Sequence, residues 1–272
     1  LIWVYDKALN VARPPKNPKS IKSVAYVLND NTIKFSDGTE TCEFEDNHMQ
    51  AIDDYLCKII KQITDTSGNL VNLSVVDKGN FASCIAIMFA RTPSFRLPIE
   101  QMHKKVLEQI AHNIGVPPHP LTGVTLSESL KNGDTKIEIN KVVSIKGMID
   151  FAEQLTLSIL SKPWLFHRNN NNNHFLTGDN PVIFNPPTLG AGPSHPKSEI
   201  LFPLSKEWCL VCSPDNGFAD MTVVDADNKF IKRVNRDIAQ SAKQKVFSDL
   251  LCPKIARLVY NHRHKEQTII TN

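Results

Sequence analysis

The residues whose types and spacing point most directly to chemistry surround Asp179, in a polar turn between two apolar runs. Pro181 fixes its own φ and keeps Asn180 extended, so the chain is expected to hold the Asp179 carboxylate at a rigid corner between two strands. A carboxylate at a strand end can act as a general base or a metal ligand. It can equally accept backbone N–H groups and fix the turn, a common role of Asp. Asp179 is therefore the catalytic candidate, with a structural alternative, and Asn180 and Pro181 would shape its surroundings.

Two arginines, Arg91 and Arg96, follow a strongly apolar run, with Thr92 between them. A guanidinium near a core needs a partner, because an unpaired buried charge is strongly destabilising. We therefore expect an internal ion pair between these arginines and Asp179. The functional alternative is a bidentate clamp on a phosphate or a carboxylate. Thr92 is expected to help shape either arrangement.

Asn235 opens a stretch with apolar residues at helical spacing and is expected to be the N-cap of a helix over residues 235–248. Arg236 would then lie in the first helical turn, where a cation is unfavourable to the helix dipole. This placement suggests that Arg236 faces an anion or a carboxylate.

The Cys and His residues do not predict a metal centre. Cys209 and Cys212 lie three apart in an apolar, strand-like run, so the two thiols would face opposite sides of a sheet and could not share one ion. His167 and His174 bracket a run of Asn residues, a setting in which His is more often solvated than ligating. Ser248 has no evident His or Asp partner in the sequence, so a catalytic triad is not predicted.

Composition limits the classes of function. The 272 residues carry 31 basic and 28 acidic side chains, a formal charge of +3, which does not support nucleic-acid binding but leaves room for a local basic pocket. Gly is sparse, at 11 residues, and no phosphate-cradling loop is present, which argues against nucleotide cofactor folds and leaves the cofactor unknown. Six scattered cysteines and the lack of a long apolar run are typical of a cytoplasmic protein outside the membrane.

The elements that must position these residues follow from hydrophobic periodicity. The predicted helices are residues 49–64, 80–90 (with Asn80 as a possible N-cap), 98–114, 147–161 and 235–248. The predicted strands are residues 1–7, 23–28, 32–35, 175–177, 182–184, 200–203, 208–212 and 256–260, the second and third forming a hairpin. The fold class is therefore α+β, with a helical middle of four helices packed against a mostly antiparallel C-terminal sheet that contains one late helix.

The chain is expected to form a single domain over residues 1–272. Within it, residues 1–48 form a strand and hairpin region, residues 49–165 a helical region and residues 174–260 a sheet region. The chain begins in what reads as the middle of a strand and without Met, so we expect an N-terminal truncation.

Several segments in order resemble one family. They are 1–7 (LIWVYDK), 91–96 (RTPSFR), 163–164 (PW), 175–182 (FLTGDNPV), 202–205 (FPLS), Asn235 and 246–248 (VFS). This order is similar to the bacterial family catalogued as domain of unknown function 4238. The resemblance implies no established activity. It does imply that Asp179 and Pro181 are characteristic positions, and that a His-Tyr-Val-Pro segment, which this chain lacks, normally precedes the first strand.

Two functions stay open at this point, and so does the question of whether the protein is an enzyme. The first is an uncharacterised intracellular binding or interaction domain, with a polar network around Asp179 that fixes the fold. The second is a hydrolase, such as a metal-dependent phosphodiesterase or nuclease, using Asp179 with Arg91 and Arg96. The sequence does not identify a partner.

Overall fold

The structure is a computed structural model, and it describes residues 1–24, 33–34, 39–42, 44–113, 118, 123–137, 139–214 and 217–263. Across these residues the helices are α1 (Gln50–Thr64), α2 (Val75–Ala90), α3 (Pro93–Asn113), α4 (Leu126–Asn132), α5 (Lys141–Leu160), α6 (Asn228–Ser241) and α7 (Pro253–Asn261). The strands are β1 (Trp3–Asp6), β2 (Ile33–Lys34), β3 (Glu40–Thr41), β4 (Trp164–Arg168), β5 (Thr177–Gly178), β6 (Ile183–Asn185), β7 (Glu199–Pro203), β8 (Trp208–Cys212), β9 (Thr222–Asp225) and β10 (Lys245–Ser248). The predicted α+β class is confirmed.

The strands form three sheets. The largest has the order β6-β7-β8-β4-β9 and is antiparallel except for the parallel pair β4 and β9. A smaller antiparallel sheet has the order β1-β10-β5 and joins the N-terminal strand to the C-terminal part of the chain. The third sheet consists of β2 and β3 alone.

The five-stranded sheet separates two hydrophobic layers because successive strand side chains point to opposite faces. Phe166, Phe202 and Leu210 pack with α1, α2, α3 and α5 on one face. The residues one position away in each strand pack with α6, α7 and the three-stranded sheet on the other face; they are Leu165, Leu201 and Val211. Cys212 belongs to the first layer and Cys209 to the second, so the prediction that the two thiols face opposite sides is confirmed.

The predicted helices of the middle region are present, but three of them begin earlier than their apolar stripes indicate. α2 begins at Val75, where Ser74 Oγ accepts the Asp77 N–H at 3.0 Å, so Ser74 and not Asn80 is its N-cap. α3 begins at Pro93 and α5 at Lys141, after the N-cap Asn140. Polar capping residues set the starts of α2 and α5, and Pro93 stands at the first position of α3, whereas periodicity only marks where burial begins.

A fifth helix in the middle, α4, was not predicted. Thr125 and Glu128 form a capping box, and Gly133 ends the helix with φ of 79°. The Thr-x-x-Glu spacing is the sequence signature of such a start. The helix has no buried residue, so it carries no apolar stripe that periodicity could detect.

The C-terminal assignments need two corrections. The predicted helix over 235–248 is α6 followed by β10, and α6 begins after Asp227, whose Oδ1 accepts the Phe230 N–H at 2.6 Å. The predicted strand over 256–260 is α7, which has Pro253 in its first turn, where the missing N–H costs nothing. The described C-terminal residues thus contain two late helices, not one.

The early region and the sheet differ from the prediction in two further ways, and agree with it in one. β2 pairs with β3, which follows it, and residues 25–32 of the predicted hairpin lie outside the described residues. β4 and β9 were not predicted as strands. β1, predicted over 1–7, is confirmed.

Candidate functional site

Asp179 lies at the corner after β5, and its carboxylate accepts three backbone N–H groups. Its oxygens accept N–H groups from Lys243 at 2.8 Å, Gln244 at 2.7 Å and Lys245 at 2.9 Å. The Asp179 N–H in turn donates to the Lys245 carbonyl at 3.0 Å. The carboxylate therefore fixes the connection between α6 and β10, and this geometry supports the structural alternative for Asp179.

The chain around Asp179 is not a hairpin, because β5 and β6 belong to different sheets. β5 approaches the α6–β10 connection very closely at Gly178. A Cβ atom added there would lie 3.0 Å from the Lys245 carbonyl oxygen and 3.2 Å from the Ala242 Cβ. Glycine thus permits the approach that lets Asp179 reach its three donors.

Asn180 extends the same network. Its side chain is buried, and its Nδ2 donates to Ser241 Oγ at 2.8 Å and to the Ser241 carbonyl at 3.3 Å, at the end of α6. Pro181 follows and leads the chain into β6. The residues predicted to shape the Asp179 corner therefore join it to α6.

Asn235 lies in the middle of α6 and is not an N-cap, so that prediction was wrong. Its Oδ1 accepts the Leu176 N–H at 2.8 Å, and its Nδ2 donates to the His174 carbonyl at 2.8 Å. The amide thus satisfies a donor and an acceptor of one extended segment, because it carries both an acceptor oxygen and a donor nitrogen. Asn235 anchors residues 174–176 to α6.

The predicted ion pair between Asp179 and the two arginines is not formed. Arg91 Nη1 contacts Asp53 Oδ1 at 2.9 Å, and Arg96 Nη2 lies 4.0 Å from Glu100 Oε1. Both arginines belong to the helical layer, whereas Asp179 bonds to the α6–β10 connection in the other layer. The sequence could not reveal this separation, because the strand order of the sheet between the two layers depends on pairing between residues far apart in the chain.

Thr92 has a local role beside these arginines. Its hydroxyl donates to the Phe89 carbonyl at 2.8 Å, and its own carbonyl accepts N–H groups from Phe95 and Arg96 at 3.0 Å. Thr92 thus ends α2 and starts α3.

A cleft of about 380 Å³ lies between α6, α7 and two chain segments, residues 173–176 and residues 248–252. Its lining includes the predicted residues Asn235 and Arg236. The remaining lining residues are Asn173, His174, Leu176, Ile231, Lys232, Ser248, Leu250, Cys252, Lys254, Ile255 and Leu258. The volume and the mainly apolar lining with a few polar groups are typical of small-molecule sites.

Three exposed cations line this cleft: Lys232, Arg236 and Lys254. Lys232 and Arg236 are one turn apart on α6 and therefore lie on the same side of the helix. Within the described residues, none of the three has a carboxylate within ion-pair distance. Arg236 is not in the first turn of its helix, so the dipole argument for it was wrong, although it does line a cleft.

His174 was expected to be solvated but is paired. Its Nδ1 lies 2.9 Å and 2.8 Å from the two carboxylate oxygens of Asp249, and Lys206 Nζ lies 3.8 Å from the same carboxylate. Ser248 Oγ accepts the Leu250 N–H at 3.0 Å, and among the described residues no hydrogen bond joins it to His174. The His–Asp pair was missed because its members lie 75 positions apart in the chain.

Tyr5 fixes the other wall of the cleft, a role the sequence did not indicate. Its buried hydroxyl donates to the Leu250 carbonyl at 2.8 Å and accepts the Cys252 N–H at 2.8 Å. Burial raises the pKa of Tyr5. The N-terminal strand β1 thereby holds residues 250–252 in place.

A second polar cluster joins α6 to the five-stranded sheet. Arg233 makes a bidentate contact with Glu199, at 2.6 and 3.1 Å, and Asn185 Nδ2 lies 3.4 Å from Glu199 Oε2 and 3.3 Å from Asp237 Oδ2. Burial raises the pKa of Asp237. Nearby, burial and the Arg233 charge lower the pKa of His167 to about 4. The contacts among Arg233, Glu199, Asn185 and Asp237 thus attach α6 to the sheet.

The described residues show neither a metal-binding cluster nor a membrane-spanning helix. Over the residues that the structure describes, no group of three or more His, Cys, Asp or Glu side chains is arranged to hold a metal ion. No helix in the same part of the chain has the length and apolar character needed to cross a bilayer. Burial raises the pKa of both Cys209 and Cys212.

Comparison with known proteins gives a match at the level of a protein family. No curated protein and no solved structure is significantly similar to the chain. Residues 1–249 match the profile of a family described as "Protein of unknown function (DUF4238)". Because this match spans most of the chain, the protein belongs to that family.

Proposed function

We propose that the protein is a binding domain that takes a small ligand into the cleft between α6 and α7. The observation that carries this proposal is that side-chain hydrogen bonds to backbone fix both walls of the cleft, one from Asn235 in its lining and one from Tyr5 outside it. Asn235 holds residues 174–176 on one side, and Tyr5 holds residues 250–252 on the other. A site held in advance binds without the cost of ordering its own chain segments.

The network around Asp179 supports the same function. Asp179 fixes the entry into β10, and β10 ends at Ser248, which lines the cleft. Three N–H donors occupy the Asp179 carboxylate, which leaves it poorly suited to remove a proton from a substrate. This favours a binding role for the network over the proposed role of Asp179 in catalysis.

The test is an NMR titration of ¹⁵N-labelled protein with a library of small molecules. We expect binders to shift the amide resonances of Leu176, Asn235 and Ile255, and to be recovered chemically unchanged. Shifts confined to other parts of the protein, or conversion of the ligand, would contradict the proposal.

A hydrolase is the second candidate function, and the His174–Asp249 pair in the cleft favours it. A carboxylate that accepts one imidazole N–H fixes the tautomer and leaves the other nitrogen available as a base. Such an enzyme would not use Asp179 with Arg91 and Arg96, since the fold does not bring them together. Turnover of an activated ester or phosphoester that His174→Gln abolishes and Arg91→Gln preserves would establish this alternative.

A further inference from the structure

We infer that the ligand of the cleft is a small organic anion, a carboxylate or phosphate monoester that carries a hydrocarbon group. This inference rests on the proposed binding function and names the chemistry of its ligand.

The described lining of the cleft contains three cations and no carboxylate. Lys232, Arg236 and Lys254 line one cleft from two different helices, and within the described part of the chain no carboxylate neutralises them at ion-pair distance. Asp249, which follows Ser248 of the lining, is engaged by His174 and Lys206, and Asp237, which neighbours Arg236, contacts Asn185. Like charges gathered in a concave site raise the local concentration of the opposite charge. The site therefore selects anions.

The types of cation indicate the chemical class of the ligand's head group. Arg236 can present two parallel N–H donors to a carboxylate or phosphate, while the two lysines supply mobile point charges beside it. The first turn of α7, which carries Lys254 and Ile255, adds the positive end of its helix dipole to the same side of the cleft. An oxygen-rich anionic head group satisfies these donors together.

The remaining lining selects an apolar group. Leu250, Ile255 and Leu258 line the cleft, and in the free protein Leu250 is exposed and the other two are half-buried. Inorganic phosphate would leave this surface in contact with water, whereas a hydrocarbon chain would cover it. The volume of about 380 Å³ admits a chain of several carbons beyond the head group.

The test is calorimetric titration of the full chain with four probes: hexyl phosphate, hexanoate, hexylamine and inorganic phosphate. We expect one or both of the first two to bind, and the comparison between them decides between phosphate and carboxylate. Hexylamine and inorganic phosphate should bind at least roughly tenfold more weakly, because hexylamine lacks the anionic group and inorganic phosphate lacks the hydrocarbon chain.

Charge-removing variants locate the binding. Arg236→Gln and Lys254→Gln should each weaken hexyl phosphate or hexanoate binding by roughly three- to tenfold. Lys229→Gln, an exposed lysine of α6 outside the cleft, is the matched control and should leave the affinity unchanged. All three side chains are exposed, so the variants should fold.

The possible failures are distinct. Binding of hexylamine as tight as that of the anions, or equal affinities of Arg236→Gln and Lys229→Gln, would overturn the anion inference while leaving a binding domain. Failure of all four probes and of the wider ligand library would overturn both proposals.

Discussion

At the scale of single residues, the side chains singled out by the sequence act mainly on backbone. Asp179 bonds to three N–H groups, Asn180 to Ser241, and Asn235 to both a donor and an acceptor of residues 174–176. Short polar side chains at corners are well suited to this because they replace backbone partners that a turn leaves unpaired. The sequence could identify these residues but not their partners, which lie about 60 positions away.

Asp179→Asn tests this role of the carboxylate. The amide nitrogen replaces one acceptor oxygen and would face an N–H donor, so we expect a loss of about 2 kcal/mol in the free energy of unfolding. Chemical denaturation measures the change. Asp134→Asn, in an exposed turn after α4, is the control and should change the stability by less than about 0.5 kcal/mol. A stability of Asp179→Asn equal to that of the control would show that the three bonds do not stabilise the fold.

At the scale of elements, α6 organises the region around the cleft. Asn235 on one face of the helix holds residues 174–176, and Arg233 on another face contacts Glu199 of the sheet. Ser241 at the end of the helix accepts a hydrogen bond from Asn180, and the segment that follows donates to Asp179. The helix was predicted seven residues late because Asn235 was taken as its cap, whereas Asp227 is. With the helix correctly placed, the i,i+4 spacing of Lys232 and Arg236 would have indicated a cationic face from the sequence.

Gly178→Ala tests the close approach of β5 to the segment after α6. The added Cβ would lie 3.0 Å from the Lys245 carbonyl oxygen, so we expect a destabilisation of about 1–3 kcal/mol as that segment moves away. Gly79→Ala, inside α2 with no atom within 4 Å of the new Cβ, is the matched control. It should stabilise the protein by about 0.5–1 kcal/mol, because Ala favours helix. Changes of the same sign in both variants, measured by urea denaturation, would contradict this account.

His167, which stacks on Phe230 of α6, predicts a pH dependence. Its folded pKa is about 4, below the ordinary 6.5, so between these values the unfolded chain binds a proton that the folded chain does not. Stability should therefore fall as the pH decreases from about 6.5 to about 4, by up to about 2 kcal/mol from this residue. His167→Asn should flatten that part of the profile of unfolding free energy against pH. An unchanged slope of unfolding free energy against pH in the variant would show that another group causes the loss of stability at low pH.

At the scale of the whole molecule, the five-stranded sheet separates a helical layer from the layer that contains the cleft. The sequence predicted the α+β class, the helical middle and the alternation that sends Cys209 and Cys212 to opposite faces. It could not predict that Arg91 and Asp179 lie in different layers, or that Tyr5 reaches residues 250–252, since such contacts depend on strand order. Local patterns specify elements, whereas the site results from how the elements are stacked.

A crystal structure of the protein with whichever of hexyl phosphate and hexanoate binds more tightly tests the central claim most directly. We predict that the anionic head group lies within hydrogen-bonding distance of Arg236 and at least one of Lys232 and Lys254, with the hydrocarbon chain against Ile255 and Leu258. The backbone of residues 174–176 and 250–252 should move little, because Asn235 and Tyr5 already hold it. An empty cleft at saturating ligand, or a ligand bound in another part of the molecule, would contradict the account.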